Sequence, residues 1–229
     1  MIRAIIFDLD GTIVVFNLDY KLVRAEVIQF LTKQGFPSSL FSMKESVFSM
    51  LKKVELYLKN KDKGELDVAR VKEEVLLVVN RHELEAARTT SLMPGIPEML
   101  KTLKKMKLKT AIFTVNAEKS TNYILNRFRI KRFFDAIVPR DFVSAVKPDP
   151  VHLEAALKAL NVEPEKAVVV GDSKWDMMCA RELNVVAVGV ATGISSPKEL
   201  MRAGATYLAS SLTDIPSLIQ QLNAQVKVA

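Results

Sequence analysis

The chain has 229 residues, of which 49% are hydrophobic and 26% are charged, and its formal net charge is +7. This apolar fraction excludes a disordered chain, and the length predicts one large α/β domain or two smaller domains. A single cysteine excludes an intramolecular disulfide, and no apolar run is long enough for a signal peptide or a membrane span, so we expect a cytoplasmic protein with no membrane partner.

The positive charge alone is compatible with nucleic acid, a membrane surface or small anions as partners. The densest basic cluster, five lysines between Lys101 and Lys109, is not interleaved with aromatic residues. A surface that binds nucleic-acid strands needs such aromatic residues for base stacking. A solvated, lysine-rich surface is therefore favoured, and no nucleic-acid partner is expected.

The first residues, Ala4-Ile5-Ile6-Phe7, are typical of a short buried strand. Residues 17–88 then carry apolar side chains at helical spacing in successive segments, with no clear strand candidate. Residues 92–95, Leu-Met-Pro-Gly, have the composition of a linker. The sequence thus predicts an all-α segment inserted directly after the first strand.

After residue 95 the chain alternates between apolar strand candidates and helical patterns. The strand candidates are Leu108–Phe113, Ala136–Val138, Ala167–Val170, Val185–Val190 and Thr206–Ala209. The helical candidates are residues 97–106, 117–129, 150–160, 174–183, 197–203 and 214–225. This alternation predicts an α/β domain with a doubly wound parallel sheet in residues 1–16 and 89–229, and an all-α cap domain in residues 17–88. An insertion at this point is expected to act as a lid, because such sheets bind ligands at the carboxyl ends of their strands.

Polar residues follow the predicted strands at the points where they end. The set consists of Asp8, Asp10, Gly11 and Thr12 after the first strand, Thr114 and Asn116 after the next, Lys147-Pro148 after the third, and Gly171, Asp172, Ser173 and Asp176 after the fourth. Because the carboxyl ends of parallel strands meet at one edge of the sheet, these side chains are expected to converge.

Such a set of acids with one lysine suits phosphoryl transfer. Asp8 and Asp172 offer the hard oxygen ligands that Mg²⁺ prefers. Asp8 and Asp10 are two residues apart in extended chain and share an orientation, and two close carboxylates tend to have separated pKa values, so that one can act as an acid. Lys147 and the Thr114 hydroxyl can bind the oxygens of a phosphoryl group.

The ordered set from Asp8 to Asp176 resembles the four motifs of the haloacid dehalogenase superfamily, and the resemblance covers nearly the whole chain. It implies a Rossmann-like core, and the helical block at 17–88 is similar to the small helical cap of one subclass. Three further stretches, Pro94-Gly95, Lys147–Pro150 and Gly204–Tyr207, resemble the branch that contains phosphoglycolate phosphatases and β-phosphoglucomutases.

The resemblance implies catalytic and metal-binding roles for four acids. Asp8 would attack the phosphoryl group and form an aspartyl-phosphate, while Asp10 would protonate the leaving oxygen and later activate water. Mg²⁺ would be bound by the Asp8 carboxylate, the Asp10 backbone carbonyl and Asp172. Asp176 would orient Lys147 or a metal-bound water from outside the set of ligands.

The resemblance also implies that Thr114 and Lys147 hold the phosphoryl oxygens, with the neighbourhood of Asn116 contributing. Many members of the superfamily carry Asn directly after the hydroxyl residue, whereas here Val115 intervenes before Asn116. His82 and His152 lack any metal-ligand spacing, so both are expected to be structural or exposed.

The sequence therefore predicts a Mg²⁺-dependent phosphatase, a monomer or homodimer, acting on a small phosphorylated metabolite such as phosphoglycolate. Three alternatives stay open. They are a phosphomutase of the β-phosphoglucomutase kind, a haloacid dehalogenase and a non-catalytic binding protein on the same fold. Asp10 argues against the dehalogenase, since a departing halide needs no proton.

Overall fold

A computed structural model of the chain describes residues 1–61 and 65–225. Residues 62–64, in the predicted cap domain, and residues 226–229, in the predicted α/β domain, lie outside the described residues. The strands are β1 Ala4–Phe7, β2 Lys109–Thr114, β3 Ala136–Pro139, β4 Ala167–Gly171, β5 Val186–Val190 and β6 Tyr207–Ala209. The helices are α1 Tyr20–Lys33, α2 Val47–Lys59, α3 Glu65–Thr89, α4 Ile96–Lys105, α5 Glu118–Arg127, α6 Val151–Leu160, α7 Lys174–Glu182, α8 Pro197–Ala203 and α9 Ile215–Gln225.

The six strands form one parallel sheet in the order β3-β2-β1-β4-β5-β6. Strand β1 lies near the middle, and its Ile6 pairs with Ala111 on one side and Val169 on the other. The predicted fold class is confirmed, because parallel strands alternate with helices along the chain as the apolar pattern indicated. No strand boundary differs from the predicted one by more than one residue.

Alternate side chains of β1 enter two separate cores. Ile5 and Phe7 contribute to the core that includes apolar residues of α4, α5 and α9. Ala4 and Ile6 contribute to the other core, which includes apolar residues of α6, α7 and α8. Successive side chains of a strand point to opposite faces, so the two cores lie on opposite faces of the sheet. Helices therefore cover the sheet on both faces, which is the doubly wound arrangement.

The chain divides into two compact units, Met1–Asn17 with Ala87–Ala229, and Leu18–Ala86, of which the structure describes all but residues 62–64 and 226–229. The second unit has a core of its own, in which Val27 of α1, Met50 and Val54 of α2 and Val75 of α3 are buried. The function of this unit as a cap stays a prediction. No described helix is long and apolar enough to cross a membrane.

The segment 92–95, predicted as a linker, is anchored to the chain that follows β1. Leu92 forms an isolated bridge with Val14, and the Met93 N–H donates to the carbonyl of Ile13. Gly95 then precedes α4 in a left-handed conformation, with φ of 75°. A Cβ atom at Gly95 would lie 2.4 Å from the Cγ2 methyl of Thr213, so the position requires glycine both for its backbone angle and for the close approach.

We expect Gly95→Ala to lower the free energy of unfolding by about 1–2 kcal/mol through the left-handed backbone alone, and by more through the clash with Thr213. Thr213→Ser removes only the clashing methyl group. In the Gly95→Ala background it should therefore recover part of the loss. Urea denaturation of both single variants and the double variant measures this, with Thr213→Ser as the control. A double variant no more stable than Gly95→Ala would contradict the packing argument.

Candidate functional site

The first two acids of the site lie at the ends of two neighbouring strands. Asp8 directly follows β1, and Asp172 directly follows β4. The two strands are paired in register, and the Asp8 N–H donates to the carbonyl of Val170 at 3.0 Å. Parallel pairing therefore brings both carboxylates to the same edge of the sheet, as the sequence predicted.

Three buried carboxylates lie together at this edge. Asp8, Asp172 and Asp176 each offer one oxygen, and these oxygens all lie within 4.8 Å of one another. The Lys147 Nζ donates to Oδ1 of Asp8 and to Oδ1 of Asp176, both at 2.6 Å. Burial alone would lower the pKa of Lys147, but the Asp176 and Asp8 carboxylates outweigh it and raise this pKa above its usual value. The ammonium therefore stays charged between the two acids.

Close packing of the acids also shifts their own pKa values. Burial raises the pKa of Asp8, although the charge of Lys147 opposes this shift. Burial, followed by the charges of Asp8 and Asp176, raises the pKa of Asp172 to about 9. Without a cation, the site thus favours a proton on Asp172 at neutral pH. Buried carboxylate oxygens are hard ligands, so this donor set fits a divalent cation that would replace the proton and relieve the repulsion.

Asp172 is held by groups on two loops. The Thr12 hydroxyl donates to its Oδ1 at 3.2 Å, and the Ile194 N–H donates to its Oδ2 at 2.9 Å. A Cβ atom at Gly193 would lie 1.8 Å from that same Oδ2, so only glycine lets the backbone come this close. The analysis of the sequence missed Gly193 and Ile194. The one signal for them was their position in the loop that follows β5, the neighbour of β4.

Asp176 lies in the first turn of α7 and has partners for both carboxylate oxygens. Its Oδ2 accepts from the N–H of Ser173 at 3.0 Å and from the Ser173 hydroxyl at 2.6 Å, while Oδ1 accepts from Lys147. Ser173 in turn caps the helix by accepting from the Asp176 N–H. This capping box fixes the carboxylate on the helix terminus and points one oxygen at the lysine.

The remaining predicted residues form a second group beside the first. The Asn116 side-chain amide donates a hydrogen bond to Oδ2 of Asp10. Thr114 is buried, and its hydroxyl oxygen accepts from the Asn116 N–H at 3.2 Å. Asn116, predicted as a phosphate ligand, is therefore brought to the carboxyl group of Asp10.

Arg140 is a buried residue that the analysis of the sequence did not single out. Its guanidinium donates to the carbonyl of Val115 at 2.6 Å, and its backbone N–H donates to the carbonyl of Asn116 at 3.1 Å. These bonds attach the loop after β2 to the turn after β3. A lone Arg between a strand and a loop carries no motif, so only the fold reveals this contact.

His152 on α6 is fully buried and contacts the backbone of Lys147. Burial lowers the pKa of His152 to about 4, and the positive charge of Lys147 adds to the effect. The imidazole is therefore neutral near pH 7. Of the two expectations for this histidine, structural or exposed, the structure supports the structural one: His152 is buried against the loop that carries Lys147.

Cys179, on the buried face of α7, is not a nucleophile. Burial raises the pKa of its thiol to about 12, and its Sγ donates to the carbonyl of Asp149 at 3.4 Å. A thiol with such a pKa carries almost no thiolate at neutral pH.

Comparison of the sequence with known proteins gives one family and several relatives. The model of the family described as haloacid dehalogenase-like hydrolase matches residues 5–190. A phosphoglycolate phosphatase from Aquifex aeolicus is 32% identical over 178 residues, covering 76% of this chain and 78% of that protein. The pyrophosphatase PpaX from Halalkalibacterium halodurans is 26% identical over 222 residues, covering 95% and 97%.

Solved structures show the same architecture. A hydrolase from Pseudomonas syringae matches with a TM-score of 0.68 and 27% identity over 96% of this chain and 98% of its own. A putative β-phosphoglucomutase from Thermotoga maritima matches in fold, with a TM-score of 0.62 and 24% identity over 96% and 99%. The family match runs from within β1 to the last residue of β5, so it includes every strand that carries a residue of the site. Because this match spans most of the sequence, the chain belongs to the haloacid dehalogenase-like hydrolases.

Proposed function

We propose that this hydrolase is a Mg²⁺-dependent phosphatase that releases phosphate from a small phosphorylated metabolite, with phosphoglycolate as the first candidate. The observation that carries the proposal is the buried Lys147 ammonium, which contacts both Asp8 and Asp176. A fixed cation beside a carboxylate nucleophile attracts a phosphoryl dianion and stabilises the charge that moves during its transfer. The phosphoglycolate phosphatase from Aquifex aeolicus, which matches three quarters of the chain, supports the choice of substrate.

Mg²⁺ would be held by the carboxylates of Asp8 and Asp172 and by the backbone carbonyl of Asp10. Asp176 lies in the same cluster, but Lys147 and Ser173 already occupy both its oxygens, which supports an orienting role. When bound, the cation supplies positive charge that offsets the repulsion between Asp8 and the incoming phosphoryl group.

In the first half of the reaction, an oxygen of Asp8 attacks phosphorus, and an Asp8–phosphorus bond forms as the ester bond to the leaving oxygen breaks. Asp10 gives its proton to that leaving oxygen, so the leaving group departs with a hydroxyl group and not as an alkoxide. The Asn116 amide, bound to Oδ2 of Asp10, holds the carboxyl group in one orientation during this transfer.

In the second half, the Asp10 carboxylate takes a proton from water, and the water oxygen attacks phosphorus. The bond between Asp8 and phosphorus breaks, inorganic phosphate leaves, and the Asp8 carboxylate is restored. Lys147 and the Thr114 hydroxyl bind the phosphoryl oxygens in both halves. The Thr114 oxygen accepts from the Asn116 N–H, and its own hydrogen can be donated to the phosphoryl group.

Inorganic pyrophosphate is a second candidate substrate. The relative PpaX carries that activity in its name and matches 95% of this chain and 97% of its own length. The chemistry at Asp8 would be the same, but the leaving group would be phosphate, which needs less help from a general acid than an alkoxide does. We propose that the helical unit 17–88 acts as a cap and decides between such substrates.

The first test is phosphate release from 2-phosphoglycolate, inorganic pyrophosphate, β-glucose 1-phosphate and nucleotides, each with Mg²⁺ and with EDTA. We expect release only with Mg²⁺ and fastest from 2-phosphoglycolate. Faster release from pyrophosphate would replace the substrate and keep the mechanism. Isomerised sugar phosphate without phosphate release would indicate a phosphomutase, and folded protein that acts on none of these compounds would contradict the proposal.

Asp8→Asn should lower kcat by about a thousandfold or more, because an amide cannot form the phosphoenzyme. Acid-quenched wild type should carry label from a ³²P-labelled substrate, and the variant should carry none. Asp214→Asn is the matched control, since Asp214 is exposed and its carboxylate caps Ser211. Phosphate release that survives Asp8→Asn in pure protein would rule out the covalent mechanism.

Gly193→Ala should weaken Mg²⁺ binding by about 10–100-fold, because a methyl group there would collide with Oδ2 of Asp172. Isothermal titration with Mg²⁺, and the rise in Tm on adding Mg²⁺, both measure the change. Ile194→Val is the control, since it keeps the backbone N–H that binds Asp172.

If Gly193→Ala does not fold, Thr12→Val is the second variant, because it removes only the hydroxyl that binds Oδ1 of Asp172. Unchanged Mg²⁺ affinity in whichever variant folds would argue that Asp172 is not a ligand.

A further inference from the structure

We propose that His152 is a positioning residue for Lys147, holding the backbone of the lysine so that its ammonium reaches Asp8 and Asp176. The inference rests on the proposed function, in which that ammonium binds the phosphoryl group.

The two ring nitrogens of His152 connect two backbone segments. Nε2 lies 3.1 Å from the carbonyl oxygen of Val138, and Nδ1 lies 3.4 Å from the backbone nitrogen of Lys147. A carbonyl oxygen can only accept and a backbone N–H can only donate. The imidazole must therefore be neutral, with its hydrogen on Nε2, and it links the end of β3 to the loop that carries the lysine.

The ring of Phe113 supports the same arrangement from a second direction. It is fully buried at the end of β2, and its centroid lies 4.2 Å from the Nζ of Lys147. The His152 ring packs edge-on against it, with 5.6 Å between the centroids. The flexible lysine side chain is thus fixed at its backbone by His152 and near its tip by an aromatic face, which favours a bound ammonium.

Core packing alone would not require this residue. An apolar side chain of similar volume could fill the space, but it would leave the Val138 carbonyl without the imidazole as donor and the Lys147 N–H without it as acceptor. Buried polar groups without partners are costly, and the loop would be expected to move to satisfy them. The position therefore needs a side chain with both a donor and an acceptor. A movement of the loop would displace the backbone of Lys147.

His152→Phe keeps an aromatic ring against Phe113 and removes both polar atoms. We expect kcat/KM to fall about 10–100-fold, since small displacements of a binding group have effects of this size. His152→Gln, which retains a donor and an acceptor, should recover part of the loss. Leu153→Val on the same helix is the control for stability, because Leu153 is buried and its side chain carries no polar atom. Equal losses of activity in His152→Phe and in a control of equal Tm would overturn the inference.

A double-mutant cycle with Lys147→Met distinguishes positioning of the lysine from a general contribution of His152 to the stability of the fold. If His152 acts through the lysine, His152→Phe should change kcat/KM less than about threefold in the Lys147→Met background, while its effect on Tm persists. For variants too slow to assay, the Kd of inorganic phosphate with Mg²⁺ is the readout. The same fold-loss in both backgrounds would show a purely structural role.

A measurement that needs no turnover keeps this inference distinct from the proposed function. The chain has two histidines, so long-range ¹H–¹⁵N spectra of wild type and of His82→Gln assign the His152 signals. We expect a neutral ring with the proton on Nε2 at pH 7. A charged ring or a proton on Nδ1 would overturn the inference, whereas absent phosphatase activity with the expected tautomer would count against the proposed function alone.

Discussion

The ion pair network around Lys147 is the constraint on which the rest of the site depends. Three buried carboxylates, Asp8, Asp172 and Asp176, share one ammonium, so full ionisation would leave a net charge of −2 (three negative charges and one positive). Charge of that size cannot stay uncompensated away from water. A proton on Asp172 relieves part of it, and a divalent cation would relieve all of it. The same imbalance that opposes folding therefore favours the binding of a divalent cation at this edge of the sheet.

The parallel sheet is what makes such an arrangement possible. Asp8 and Lys147 are separated by 139 residues, yet β1, β2, β3 and β4 belong to one parallel sheet and end at the same edge, and Lys147 lies in the loop that follows β3. Helices on both faces exclude water from the strands, and the polar residues begin where that cover ends. The fold thus collects acids from distant parts of the chain without burying any of them in the middle of an apolar core.

The elements that repeat a simple pattern could be predicted from the sequence, and the contacts between loops could not. Strand β4 is apolar at every position because it is covered on both faces, and its predicted end at Val170 is one residue short of the observed Gly171. The convergence of the strand-end residues follows from the same logic. In contrast, Ile194 binds Asp172 through its backbone N–H, which any residue but proline carries, so no residue type marks it. His152 and Asn116 were visible as residue types, but their partners depend on loop geometry that periodicity does not encode.

Asp172 and Asp176 differ in how fully the protein binds their carboxylate oxygens. Both oxygens of Asp176 are occupied, one by Lys147 and the other by Ser173, and its backbone is fixed in a helix cap. A carboxylate so fully bonded can hold a lysine in place but has little capacity left for a metal. Asp172 is bound by one hydroxyl and one backbone N–H, both uncharged donors, so its negative charge is the one least compensated by the protein. That difference supports the proposal that these two acids, only four residues apart, have unlike roles, with Asp176 orienting the lysine and Asp172 binding a cation.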